Sequence, residues 1–417
     1  MYLYRHDRGE GIKGYSLPFR QLEFTNAMEA ELFDSKEKVK IAFKDAEIYE
    51  DEMDDSYQNL QYIGSNKNIS NRVWISTVER CCLVNALYEI IGVGDSYEEL
   101  TASMLSSNKL KEYYRGGSYA NATWSLRIRQ YNKNKTNIHN MNERELVKTH
   151  LSLVFRKLGG RVSLRNPDCP FFLMVGLSEH DYFTKQLVMV QKLAEGVSTS
   201  VLSPNTRLVR TTTPLDTISS YLLCNLGKVV KSMSSHCRIL DPFAGSCTTL
   251  LAASLITASN CQTVGIDIQM PSNRQIEQEF IDQNCTPPVA LIHGDCLSME
   301  VREQARNAIN QTSFDVIITD PPYGIRERIV SSFENPLIEL ISVIRQDLLN
   351  GTPLLNPQGG RLVAFIPQVS GDELCLPNQK VLNEARLKQV ILQKQYMSRD
   401  FSRWLVVYTS SDFAANQ

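Results

Sequence analysis

Apolar and polar positions change period along this chain, and each change predicts an element. In RVWISTVERCCLVNALYEIIGVG, from Arg72 to Gly94, Val84, Leu87 and Ile91 fall on one helical face, with Leu83 and Ile90 beside it. Gly92 and Gly94 stop that helix. SYEELTASML predicts a second helix, with Ser96 and Glu99 at capping-box spacing. ATWSLRIRQYNK then alternates: Trp124, Leu126 and Ile128 on one face of a strand, Ser125, Arg127 and Arg129 on the other. A helix is expected from about Asn142 to Leu158, with Leu146, Leu151 and Val154 inward, ending at Gly159–Gly160. Two short strands should flank the turn Asn166–Pro167–Asp168.

Residues 181–212 read as a connection with some strand in KQLVMVQKL. A helix capped near Thr213 follows in TPLDTISSYLLCNLGKVV. Beyond it, strands are predicted at Cys237–Leu240, Thr263–Ile268, Val289–His293, Val316–Thr319, Leu362–Ile366, Lys388–Gln393 and Trp404–Tyr408. Apolar strands alternating with helices predict a mostly parallel sheet covered on both faces. The last two lie too close for a helix between them, which predicts an antiparallel pair at one edge. The expected class is α/β: a Rossmann-like domain over 213–412, a linker over 181–212, a compact α/β module over 71–180, and an N-terminal region, 1–70, that completes the N-terminal α/β part.

Charge changes this picture more than composition does. Formal net charge is −2 over 417 residues, with 42% hydrophobic and 22% charged. Yet residues 26–60 hold 11 Asp/Glu against four Lys, and residues 101–165 hold 13 Lys/Arg against three Glu. The acidic surplus includes a loop near 45–56, and the basic surplus forms an electrostatic footprint suited to phosphates. No apolar run reaches the roughly 20 residues of a membrane span, and the first residues lack the apolar middle of a secretory signal. Ten cysteines without CxxC pairs predict a reduced, cytoplasmic protein, and no His/Cys spacing suggests a metal site.

The candidate chemistry lies at predicted strand ends. RILDPFAGSCTTLLAASL reads as a strand ending on Asp241, a turn with small Ala244, Gly245 and Ser246 beside Phe243, and a helix start. The next strand ends on Asp267, followed by Ile268, and can offer a carboxylate to two ribose hydroxyls. The third ends on Asp295, followed by Cys296, in reach of an adenine amine. The set suits a nucleoside with an amino-acid tail, such as S-adenosylmethionine. NAD is the main rival, but the turn lacks GxGxxG. After the fourth strand comes Asp320–Pro321–Pro322–Tyr323. An exocyclic base amine is a poor nucleophile. The Asp320 carboxylate and a carbonyl beside the prolines can accept its hydrogens and aim its lone pair, while Tyr323 offers a face for stacking. Arg326 and Glu327 can contact RNA phosphate, order the loop or form a surface ion pair.

These residues carry a resemblance. The chain from about 205 to 410 resembles amino-group methyltransferases with a D/N-P-P-Y/F signature, and DVIITDPPYGIRE looks like the THUMP-domain tRNA (guanosine-10-N2)-methyltransferase family. WSLRIRQ and GGRVSLRNPDCPFFLMV are similar to a THUMP domain, and STVERCCLVNALYEIIGVGDSYEEL to the family's N-terminal region. The resemblance implies methyl transfer from S-adenosylmethionine to the guanine N2 amine of tRNA. It implies cofactor contacts by Thr213, Asp216, Asp241, Phe243, Gly245, Asp267, Ile268, Asp295, Cys296 and Asp320. It also implies a THUMP-like module that grips tRNA, for which Arg127, Arg129, Lys133, Lys135, Arg161 and Arg165 are candidates with Arg326. A small zinc-binding activator subunit is implied as partner; the predicted third strand is an apolar edge that another chain can extend, unless a loop of this chain covers it. One departure stands out: the family turn usually carries Gly where this chain has Cys247, whose side chain is expected to crowd the cofactor. Open alternatives are the same chemistry at another RNA guanosine, a DNA amino-methyltransferase, and a catalytically silent RNA-binding subunit.

Overall fold

The structure, a computed structural model, describes residues 2–6, 17–32, 41–44, 60–65, 68–130, 142–176, 186–198, 200–203, 205–211, 214–230, 237–323 and 335–410. The acidic loop near 45–56 falls outside them, as do Lys133, Lys135, Thr213, Arg326 and Glu327. Contacts divide the chain into two units. The first holds Met1–Arg8, Val39–Glu79 and Val84–Gly196; the second holds Gly9–Lys38, Arg80–Leu83 and Val197–Gln417. The units interleave along the chain, where the sequence reading drew consecutive segments.

The first unit is one seven-stranded sheet in the order β2-β3-β1-β4-β7-β6-β5. Its strands are β1 (Tyr2–His6), β2 (Ile41–Lys44), β3 (Leu60–Ser65), β4 (Val84–Gly94), β5 (Trp124–Gln130), β6 (Cys169–Val175) and β7 (Leu187–Glu195). Only β5 and β6 pair in parallel. Side chains alternate across β6: Phe171, Leu173 and Val175 pack with the helices, while Phe172 and Met174 join Tyr88, Val188 and Val190 on the other face.

Three expectations change here. The helix expected through Ile91 stops early, as α2 (Asn71–Glu79), and β4 takes the apolar run. Ala86, Leu87 and Tyr88 are buried in succession because both faces of β4 are covered: Ala86 and Tyr88 pack with Phe172 and Met174, and Leu87, which points the other way, is buried too. The helix over 142–158 is two pieces, α5 (Glu143–Thr149) and α6 (Ser152–Phe155), separated at His150 and Leu151. His150 stacks on Tyr97 at 4.2 Å between ring centroids, and its carbonyl accepts the Thr101 hydroxyl from α3 (Tyr97–Ser106). Of the two strands around Asn166–Pro167–Asp168, only the second, β6, forms; the first is a single bridge from Val162 to Trp124. The Asp168 carboxylate holds that turn by accepting the Thr123 N–H at 2.7 Å. The capping serine is as expected: Ser96 Oγ accepts the Glu99 N–H.

The second unit has the sheet order β10-β9-β8-β11-β12-β14-β13. Its strands are β8 (Cys237–Asp241), β9 (Cys261–Asp267), β10 (Ala290–His293), β11 (Val316–Thr319), β12 (Arg361–Val369), β13 (Leu387–Tyr396) and β14 (Phe401–Ser410). The first five run parallel, and β14 pairs antiparallel with β12 and β13. The order reverses beside β8, which places a ligand crevice at the carboxyl ends of the central strands. Both faces are covered. Ile239, Ile318 and Phe365 pack toward α7 (Thr217–Leu226) and α8 (Thr248–Thr257); Leu240, Ile317 and Ala364 pack toward α11 (Pro336–Leu349). The remaining helices of this unit include α1 (Leu17–Glu31), α9 (Asn273–Asp282) and α10 (Met299–Ala308).

A buried polar network ties α1 into this unit. Glu23 accepts the Cys82 and Leu83 N–H groups at 2.9 and 2.8 Å and the Asn225 amide at 3.0 Å. Arg80 donates to Asn225, Glu31 and the Val229 carbonyl. Burial pushes the Glu23 carboxyl up to about 7 against those donors. Among the described residues no helix is long and apolar enough to cross a membrane.

Candidate active site

The turn after β8 is built from its own backbone and two acids. Asp241 is 2% exposed and faces inward: its carboxylate accepts the Phe243 N–H at 3.1 Å and the Thr249 hydroxyl. Burial pushes that carboxyl up to about 7, against the lowering effect of both bonds. Asp241, expected to contact the cofactor, shapes the turn from behind with its side chain. Phe243 is half-buried and packs on the core beneath β8. Gly245 has φ +49°, and among the described residues no heavy atom other than those of its chain neighbours lies within 4 Å of where a Cβ would project. That open space over a left-handed glycine lets a ligand approach the backbone.

Asp267 closes the turn from β9. Its carboxylate accepts the Gly245 N–H at 2.8 Å and the Gln269 N–H at 2.7 Å, while Ala244 N–H bonds the Ile266 carbonyl at 2.9 Å. Ile268 is 44% exposed, an apolar surface beside that acid. Asp295, past the end of β10, is exposed and caps its own turn by accepting the Leu297 N–H at 2.9 Å. Cys296 is buried, and burial raises its thiol pKa. Gly245, Asp267, Ile268 and Asp295 thus fit a nucleoside ligand: open space, hydroxyl acceptors and an apolar patch. The expected crowding by Cys247 is absent. Its side chain is 0% exposed and packs in the core, and the residue carries only the backbone cost of φ +58°.

Two arginines were not singled out from the sequence. Arg207 is buried and reaches Glu279 on α9 at 2.7 and 2.8 Å, the Ser246 carbonyl at 2.7 Å and the Thr248 hydroxyl. It clamps the glycine turn to α9. Arg403 on β14 is also buried: it bonds Gln395 at 2.6 Å, donates to the Ser219 hydroxyl and lies 3.6 Å from the Asp216 carboxylate. Asp216 caps α7 by accepting the Ser219 N–H at 2.9 Å, so the helix starts after Asp216 rather than near Thr213. Neither arginine sits in a motif, and Glu279, Ser219 and Asp216, the partners that fix them, are distant in sequence.

Asp320 and Tyr323 follow β11, whose parallel register with β8 places them on the same rim as the glycine turn. The Tyr323 hydroxyl donates to the Asp320 carboxylate, and its ring lies 6.1 Å from Phe401, tilted by 49°. Burial, and next the Asp320 charge, hold the phenol pKa well above its ordinary value, with Arg403 opposing. Tyr323 is thus a hydrogen-bond donor at neutral pH. Pro321 and Pro322 contribute no N–H between them.

On the first unit, Arg127, Arg161 and Arg165 are exposed. Arg129 is not: it donates to the Tyr88 hydroxyl at 2.9 Å and lies 4.3 Å over the Phe172 ring. Ser125, expected beside them on the outer face, is buried.

Residues 67–187 match the family described as the Tmrp11 THUMP N-terminal domain. The chain is also similar to proteins named tRNA (guanine(10)-N(2))-methyltransferase TRMT11. It is 26% identical to the Gallus gallus protein over 324 residues, 70% of this chain and 67% of that one. To the Dictyostelium discoideum protein it is 33% identical over 146 residues, 33% of this chain and 26% of that one. Among solved structures, TrmN from Thermus thermophilus aligns with a TM-score of 0.41 and 14% identity, over 98% of this chain and 99% of that one.

Proposed function

We propose that this chain methylates the exocyclic N2 amine of a guanosine in tRNA, at position 10, using S-adenosylmethionine. The observation that carries the reading is the placement of Asp320–Pro321–Pro322–Tyr323 at the carboxyl end of β11, on the rim that holds Gly245 and Asp267. S-adenosylmethionine, when bound, supplies an electrophilic methyl carbon. Gly245, Asp267, Ile268 and Asp295 hold its nucleoside, with Asp267 and Asp295 as acceptors and Ile268 as the apolar floor.

The remaining work falls to this chain's residues. Asp320 accepts one hydrogen of the guanine amine and a carbonyl of the Pro321–Pro322 pair accepts the other, so the nitrogen lone pair points at the methyl carbon. In the free chain the Tyr323 hydroxyl donates to Asp320 Oδ1, one of the two carboxylate oxygens. The Tyr323 ring then stacks on the base, and Asp320 takes the proton that the amine releases. Arg403, fixed by Ser219 and Asp216, offsets the charge of this pair.

Arg127, Arg161 and Arg165 on the THUMP-bearing unit supply phosphate contacts to tRNA, with Lys133, Lys135 and Arg326 assigned to the same task. Arg129 supports this surface by packing rather than as a free cation. The partner proposed for the β10 edge is a small zinc-binding activator subunit that adds a strand there; Val289 beside it is exposed. The ten cysteines, all free thiols, suit the reducing cytoplasm proposed for it. The test is mass spectrometry of nucleosides from tRNA incubated with the protein, its activator and methyl-labelled S-adenosylmethionine. Label in N2-methylguanosine supports the reading; tRNA bound without label in any nucleoside contradicts it.

A further inference from the structure

We infer that the cleft at the end of the β13–β14 hairpin is a docking site for a single unpaired nucleotide adjacent to the target base of the substrate RNA. The inference rests on the proposed reading that this chain acts on RNA, and it assigns a site beside the reacting residues. The cleft measures about 160 Å³ and is lined by Gln368, Lys394, Tyr396, Arg399 and Phe401 among others.

Three observations fit a nucleotide. The first is an available π face: Tyr396 is 66% exposed, which is unusual for an aromatic on a paired strand. Every base has a face that can stack on such a ring without regard to sequence. The second is positive charge interleaved with the rings. Lys394 Nζ lies 5.0 Å from the Tyr396 centroid and 5.5 Å from that of Trp404, its cross-strand partner. Of the cations on this hairpin, Lys394 and Arg399 line the cleft. A cation beside an exposed ring is the pairing that single-stranded nucleic-acid surfaces use for phosphate and base together.

The third observation is continuity with the reacting site. Phe401 lines the cleft and its ring lies 6.1 Å from that of Tyr323, so the two surfaces meet at one aromatic contact. A guanine presented to Asp320 must leave its stack, which unstacks its neighbour as well. The cleft gives that neighbour a place. The hydrogen bond from Trp404 Nε1 to Gln368 Oε1, 2.8 Å, fixes the wall before RNA arrives.

The test uses the full chain with its activator, wild type against Tyr396→Ala, Tyr396→Phe and the double variant Lys394→Ala/Arg399→Ala. tRNA binding is followed by fluorescence anisotropy, KM for tRNA by methyl transfer, and S-adenosylmethionine affinity by calorimetry. Tyr396→Ala is expected to raise KM and Kd for tRNA on the order of tenfold, with Tyr396→Phe near wild type because the stacking face remains. The double variant is expected to flatten the salt dependence of binding by about one to two phosphate contacts. Cofactor affinity is expected to hold in all three.

Unchanged tRNA affinity in both Ala variants would overturn the inference, as would Tyr396→Phe as damaging as Tyr396→Ala. Loss of activator binding with tRNA affinity intact would mark a protein-docking surface instead and equally overturn it. The outcomes separate this inference from the activity. Variants that lose tRNA affinity in a wild-type chain that never methylates would leave the cleft standing and remove the proposed reaction. A wild-type chain that methylates tRNA while its variants bind normally would do the reverse.

Discussion

Asp241 and Asp267 carry the same side chain at the ends of neighbouring strands, yet their surroundings divide the labour. Asp241 is sealed under the turn and satisfied by Phe243 and Thr249; Asp267 is partly open and holds Gly245 in place. The spacing of acids after strands was legible in the sequence, but which faces outward was not, since a side chain's direction depends on the turn it closes. The Asp241 carboxyl gives a pH signature. In the unfolded chain it titrates near 4; in the fold, at about 7. A raised carboxyl pKa stabilises the fold below the unfolded value, and that contribution is lost as pH rises through the folded value. The wild type should therefore lose about 1 kcal/mol between pH 6 and pH 8 that Asp241→Asn does not. Urea unfolding of both proteins at the two pH values checks this: wild-type stability relative to Asp241→Asn falls by that amount from pH 6 to pH 8. A constant gap would mean that Asp241 is charged throughout.

Elements show where periodicity suffices and where it misleads. The strand positions of the second unit were legible because short apolar runs bounded by turn residues are what an inner parallel strand requires. The same rule was missed at β4. Val84, Leu87 and Ile91 match helical spacing, but Ala86 and Tyr88 between them are buried too, and a run buried on both faces carries no period. The chain leaves α2 at Glu79 because the Glu23 carboxylate, about 60 residues upstream, takes the N–H groups of Cys82 and Leu83. The α8 start was legible as a small-residue turn, but not the clamp on it: Arg207 and Glu279 are 72 residues apart. Arg207→Ala leaves Glu279 buried and unpaired and is expected to cost about 3–5 kcal/mol. Arg207→Met with Glu279→Leu should recover most of that stability while S-adenosylmethionine still binds weakly, because nothing then ties Ser246 to α9. Denaturation and calorimetry on the three proteins check the pair of outcomes. Full cofactor affinity in the double variant would show that the clamp serves packing alone.

At the scale of the whole molecule, sequence order is a poor guide to which segments fold together. The helix Leu17–Glu31 and the turn Arg80–Leu83 cluster with residues beyond 197. Nothing in local pattern announces this, because the bonds that decide it, such as Glu23 to Asn225, join distant residues. The charge segregation, by contrast, was legible at once, and it places exposed Arg127, Arg161 and Arg165 on one unit. Replacing all three by Ala is expected to weaken tRNA binding and reduce the slope of log affinity against log salt by roughly two to three. Arg129→Ala should instead lower the melting temperature of that unit, since it loses the Tyr88 bond and the Phe172 contact. Salt titrations and thermal unfolding separate the two effects; an unchanged slope in the triple variant would move the RNA surface elsewhere.

The central claim is that the Asp320 carboxylate aims and deprotonates a guanine amine. Single-turnover methyl transfer to saturating tRNA, compared between the wild type and Asp320→Ala, tests it most directly. We expect the rate to fall at least about a hundredfold, with tRNA and S-adenosylmethionine affinities close to wild type. A variant that transfers methyl groups at near the wild-type rate would contradict the account.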